Sequence, residues 1–175
     1  METVSAGVVN SNCTSEANKL YAKVRVTNTG KFSGKEVVQV YIAKPQGKLG
    51  KPAKELAAFE KTRELQPGES QLMILTWEIN DMASYDDLGK VKKSAYVLEA
   101  GSYDIYVGTS VRDVTKADYS YILNHDVITE QLSAKLVPTS LPKRMLADGS
   151  YEALPQSEPV DTDYSAIGNI DPSLT

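Results

Sequence analysis

Residues 19–28 alternate without a break: Leu20, Ala22, Val24 and Val26 fall on one side, and Tyr21, Lys23, Arg25 and Thr27 on the other. Successive side chains of a strand point to opposite faces, so a period of two specifies a strand with one face in a core and one in water. Residues 36–43 repeat the pattern, with Val38, Val40 and Ile42 against Val37, Gln39 and Tyr41, after a turn built on Asn28-Thr29-Gly30 and Ser33-Gly34. Here the second face is also partly apolar, which calls for cover on both sides by a neighbouring layer or domain.

The same reasoning runs down the chain. Pro45 to Pro52 contains two prolines and two glycines and reads as a loop with a mobile tip. Residues 55–65 have a helical composition, but the Gln66-Pro67-Gly68-Glu69 turn and the strand after it favour an extended segment. In 70–79, Leu72, Ile74 and Thr76 alternate with Met73, Leu75 and Trp77, a strand apolar on both sides. Residues 80–86 predict a single helical or 3₁₀ turn at a corner. Strands are predicted at 94–98, at 102–107 with Tyr103, Ile105 and Val107 on one face, and at 119–124. The run Leu98-Glu99-Ala100-Gly101-Ser102-Tyr103 has the form of a tyrosine corner, in which a tyrosine past a turn ties back to upstream backbone. Short alternating runs between Gly, Pro and Asn turns predict an all-β sandwich of about seven strands within residues 1–125.

Residues 126–175 differ. Five of the eight prolines follow Val137, and six acidic residues but no Lys or Arg follow Arg144. Such a segment buries too little apolar area to offset its own ordering, at about 1–2 kcal/mol per residue, and reads as a linker or an extension lying on a surface. Val127 to Val137 fits a short helix or an edge strand.

Composition removes several functions. Nineteen Lys and Arg against 23 Asp and Glu give a net charge of −4, which argues against a nucleic-acid partner. No apolar run approaches the roughly 18 residues of a membrane span. The N-terminus carries no basic region followed by an apolar stretch, so a leader is absent or already removed, and the lone Cys13 fits a reducing compartment; together these favour the cytoplasm.

No pattern for catalysis, cofactor or metal binding emerges. The single histidine, His125, has no Gly-x-Ser-x-Gly turn to accompany it and reads as solvated. Asp81, Asp86 and Asp87 match no calcium loop and read as a solvent-facing acidic corner. Gly47-Lys48-Leu49-Gly50-Lys51 superficially resembles a phosphate cradle, but Pro45 and Pro52 occupy the places of its first glycine and its magnesium-binding hydroxyl. Asn12-Cys13-Thr14 matches the glycosylation triplet, a pattern short enough for chance. Carboxylates abound, yet sequence cannot pair any two across a sugar. Tyr41, Tyr106, Tyr119 and Tyr121 form the one candidate surface, either an aromatic platform for sugar rings or a face packed on another domain, with packing favoured.

Val24 to Gly30, followed by Gly34-Lys35-Glu36-Val37-Val38-Gln39-Val40-Tyr41, resembles the fibronectin type III-like module of glycoside hydrolase family 3. The likeness continues through Pro52-Ala53-Lys54-Glu55-Leu56, Phe59, Lys61, Leu65-Gln66-Pro67-Gly68-Glu69, Tyr85-Asp86, Gly101-Ser102-Tyr103 and Val107-Gly108-Thr109-Ser110, covering roughly residues 3–112. The resemblance implies an immunoglobulin/fibronectin type III-like sandwich in which Asn28, Gly30, Gly34, Pro67, Gly68, Gly101, Tyr103 and Gly108 are structural. It further implies a parent enzyme, mostly β-glucosidases or β-xylosidases in this family, whose nucleophilic aspartate lies in a separate (β/α)₈ barrel. The barrel's signature has no counterpart here, so no catalytic residue carries over, and the implied partners are the barrel and α/β domains of that parent. Lys143 to Tyr151 resembles the connector of members in which the sandwich precedes the barrel. Two other roles stay open: a carbohydrate-binding module with weak sugar contact through exposed tyrosines, and a free-standing adhesion or structural domain.

Overall fold

In a computed structural model of the chain, described for residues 2–9, 18–133, 142–146 and 148–154, the alternation becomes two antiparallel sheets. The first joins β1 (Glu2–Val9), β2 (Lys19–Thr27) and β5 (Ser70–Glu78) in the order β1-β2-β5. The second joins β3 (Val37–Ala43), β4 (Glu55–Lys61), β8 (Gly101–Ser110) and β9 (Asp113–Leu123) in the order β4-β3-β8-β9. Three and four strands make the seven of a small sandwich, though the membership differs from the sequence pattern, which gives no sign of β1. Leu20, Ala22 and Val24 of β2 and Met73, Leu75 and Trp77 of β5 meet Val38, Val40, Ile42, Tyr103, Ile105 and Val107 of the facing sheet in one buried cluster. Burial stabilises each large aliphatic side chain by about 1.5–3 kcal/mol, so these inner faces hold the sheets together.

The outer side of β5, apolar in its pattern, is open to solvent. Leu72 and Ile74 are exposed, opposite Arg25 and Lys23 in the β2–β5 register, so charged and aliphatic residues alternate across that face. A third, smaller sheet runs β10-β7-β6, formed by β6 (Ser84–Asp86), β7 (Ala95–Leu98) and β10 (Val127–Gln131). Of the two readings of Val127 to Val137, the edge strand holds as far as Gln131. The compact unit Met1–Gln131 therefore includes β10, which lies past residue 125.

Buried carboxylates organise two loops. Glu99 accepts hydrogen bonds from the amides of Lys48 (2.5 Å) and Leu49 (3.1 Å) and pairs with the buried Lys51 ammonium. Leu49 packs with Ala95 and Val97, so the Pro45–Pro52 loop is anchored where its composition predicts a mobile tip. The segment that resembles a phosphate cradle thus wraps its amides around an internal carboxylate. Asp86, expected at a solvent-facing corner, is instead fully buried, while Asp81 and Asp87 are exposed. The chain after it folds back so that the N–H groups of Gly89, Lys90, Val91 and Lys92 donate to its two oxygens at 2.7–3.0 Å, satisfying donors that a tight turn otherwise strands. Burial pushes the Asp86 pKa up, but the four donors outweigh it and hold the carboxyl below the usual range.

Leu132–Thr175 forms a separate unit. Within it, β11 (Lys143–Met145) and β12 (Tyr151–Ala153) make a hairpin, with Arg144 paired to Glu152 at 2.5 Å across the strands. The remaining residues of the expected linker, 134–141, 147 and 155–175, lie outside the described residues, as do Asn12, Cys13 and Thr14. No helix among the described residues is long and apolar enough to cross a membrane.

Candidate docking surface

The candidate tyrosines divide between two faces. Tyr119 and Tyr121 of β9 point inward and pack against the core, Tyr121 with its ring 6.1 Å from that of Tyr103. Burial pushes the Tyr119 hydroxyl pKa up. Tyr41 and Tyr106 are opposed in the β3–β8 register on the outer face of the four-stranded sheet. Directly opposed residues share a face, so these two, not four, form a surface pair.

That pair belongs to a larger apolar patch. Phe59 stands opposite Gln39, Ala58 opposite Val40, and Leu56 opposite Tyr41, so the strand β4 has one residue more than β3 across this stretch. Residues three apart in a regular strand face opposite ways. The bulge brings Leu56 and Phe59 to the same outer side, beside Tyr41. Phe59 is 68% exposed and Leu56 51%, whereas Tyr41 keeps only 9%. The Tyr41 hydroxyl donates to Gln39 Oε1 at 2.5 Å, and Lys54 Nζ sits 4.8 Å from the Tyr106 ring centre. The β8–β9 end of the face is polar: Asp104 accepts from Lys116 (2.7 Å), Ser120 (2.6 Å) and Ser102 (2.8 Å). These contacts, led by Lys116, hold the Asp104 carboxyl below the usual range.

Leu56 and Phe59 escape a reading by alternation because the bulge breaks it. The signal available to sequence was the apolar second side of β3, which already called for cover.

The residues assigned a structural role frame this face from its ends. At one corner Asn28 donates from Nδ2 to the carbonyls of Phe32 and Leu65 (both 2.8 Å) and accepts from the Gly30 amide (2.9 Å). Its backbone bonds Glu69 and Gly68, after Pro67, while Gly34 forms a two-way bridge with Leu65. These ties border an open groove of about 310 Å³, at whose rim Phe32 is 85% exposed. At the other end the Tyr103 hydroxyl donates to the Glu99 carbonyl at 2.9 Å, closing the tyrosine corner. Gly101 adopts φ 137° with Pro45 close by, where a Cβ would sit 2.8 Å from the ring. Within the β8–β9 hairpin a Cβ on Gly108 would fall 1.8 Å from the Asp113 carbonyl oxygen, so the strands approach this closely only through glycine.

Among the described residues no group of His, Cys, Asp or Glu is arranged to hold a metal ion, and His125 lies exposed in the turn after β9.

Comparison with known proteins gives this architecture a context. Residues 36–111 match the family model of the fibronectin type III-like domain. The chain is 63% identical over 151 residues to β-glucosidase A of Butyrivibrio fibrisolvens, covering 86% of this chain and 18% of that protein. It is 44% identical over 138 residues to a β-glucosidase of Ruminococcus albus, covering 77% and 14% respectively. A crystal structure of a β-glucosidase from Paenibacillus barengoltzii superimposes with a TM-score of 0.73 at 44% identity, over 87% of this chain and 18% of that one. The chain thus spans less than a fifth of the length of these relatives. Residues 36–111 belong to the fibronectin type III-like family, and the chain containing them is similar to one segment of family 3 β-glucosidases.

Proposed function

We propose that this chain serves as a non-catalytic supporting module of a family 3 glycoside hydrolase that acts on β-glucosides. Its work is to buttress the catalytic barrel and α/β domains of that enzyme by docking through the outer face of the four-stranded sheet. One observation carries the reading: the sandwich completes its own core, yet Tyr41, Leu56, Phe59 and Tyr106 form a second apolar face on the same strands. Exposed apolar patches flanked by polar residues are what interaction surfaces look like. Asp104 and Lys116 supply that polar flank.

Tyr41 and Tyr106 are poorly placed to stack on sugar, since Tyr41 is nearly covered and Tyr106 already carries Lys54 over its ring. The isolated chain, assayed with aryl β-glucosides, is expected to give no hydrolysis. Turnover that survives purification to homogeneity and persists in independent preparations would defeat the proposal.

A further inference from the structure

The small sheet β10-β7-β6 has an outer side that neither the core nor the docking face uses. Its register aligns Tyr85 opposite Tyr96 and Tyr96 opposite Glu130, one row across three strands. The two rings lie 5.4 Å apart at 55°, with Tyr85 44% and Tyr96 38% exposed. Beside Tyr96 runs an open groove of about 390 Å³, lined by Asn80, Asp81, Ala83, Tyr96, Thr129 and Glu130. Small-molecule sites span roughly 300–1,000 Å³, so the groove is of ligand size. The 3₁₀ turn Asn80–Met82 fixes one wall: Met82 is buried in the core, which leaves Asn80 and Asp81 on the exposed side. The opposite wall is pinned where Thr129 Oγ1 donates to the Tyr96 carbonyl at 3.2 Å.

The lining narrows the ligand class. Two carboxylates and no Lys or Arg face the groove, which disfavours phosphates, nucleotides and organic acids. Tyr96 and Ala83 supply the apolar surface, too little for a lipid or other greasy ligand. What fits is a neutral molecule with hydroxyls to donate to carboxylates and a C–H face to lay on an aromatic ring. Sugars have both. We propose that the Tyr96 groove binds a neutral saccharide, its C–H face against the Tyr96 ring and its hydroxyls donating to Asp81, Glu130 and the Asn80 side-chain carbonyl. Binding there makes and breaks no covalent bond. It goes beyond the supporting role and does not depend on it, since the groove is formed by different strands from the docking face.

An alkylammonium group would also suit two carboxylates and a ring, and the test separates the two. The 175-residue chain, labelled with ¹⁵N, is titrated with cellobiose and, separately, with tetramethylammonium at matched ionic strength. Cellobiose is expected to give saturable shifts confined to the amides of residues 80–83, 96, 129 and 130, and tetramethylammonium none. Tyr96→Ala and Asp81→Ala should each weaken cellobiose at least tenfold, and Phe59→Ser should leave it within twofold. No saturable shift with cellobiose, shifts centred elsewhere, or a response to tetramethylammonium alone would overturn the proposal. Wild-type shift mapping decides the outcome even where Tyr96→Ala fails to fold. Failure of the supporting role is read separately, by glucoside hydrolysis with the isolated chain.

Discussion

The two sides of the sheet β4-β3-β8-β9 are built from the same strands and carry similar residues, yet only one has found a partner. On the inner side Val38, Val40, Ile42, Tyr103, Ile105 and Val107 are buried against β2 and β5. On the outer side a bulge brings the exposed Leu56 and Phe59 beside Tyr41 and Tyr106. The difference teaches where to look for function in a module without chemistry: stability is invested on one side, and the apolar residues left over on the other are free to bind.

If that division is right, substitutions should sort by side. Ile105→Ala, which opens a cavity in the core, is expected to cost about 2–5 kcal/mol in urea unfolding, among the largest single effects available. Gly108→Ala forces the β8–β9 hairpin apart and should cost about 1–3 kcal/mol, read in the same way, with the strain confined to that hairpin.

Asp86→Asn sets two amide hydrogens against backbone donors and should cost about 1–3 kcal/mol near neutral pH. Because the folded carboxyl titrates below its unfolded value, its contribution is fully present above about pH 4 and is lost as pH falls through the folded pKa. The gap between wild type and variant should therefore narrow on acidification; a gap that widens in acid would refute the backbone-donor account. At the bottom of the scale, Leu56→Ser with Phe59→Ser should change the stability of the isolated chain by no more than about 0.5 kcal/mol per site. A large loss there would mean that the outer face is structural and the comparison false.

Much of this division is legible in the sequence because alternation reports strands directly. The pattern of β2 specifies strand and inner face together, that of β5 specifies the strand, and the tyrosine corner is visible from Gly101 and Tyr103. What alternation hides are breaks in its own period. Leu56 and Phe59 read as opposite-facing until the bulge aligns them. Asp86 looks like one more surface acid until the following turn supplies its four donors. Leu72 and Ile74 make β5 apolar on both sides although its outer face stays open, since a hydrophobicity pattern records a side chain's preference and not what lies over it.

The most direct test of the docking claim places this chain in a larger enzyme. β-Glucosidase A of Butyrivibrio fibrisolvens, with its matching segment replaced by this chain, is followed by thermal unfolding with and without Leu56→Ser and Phe59→Ser. The account predicts that the double substitution lowers the unfolding temperature of the chimera or splits its transition, while the isolated chain melts as before. An unchanged chimera would contradict it.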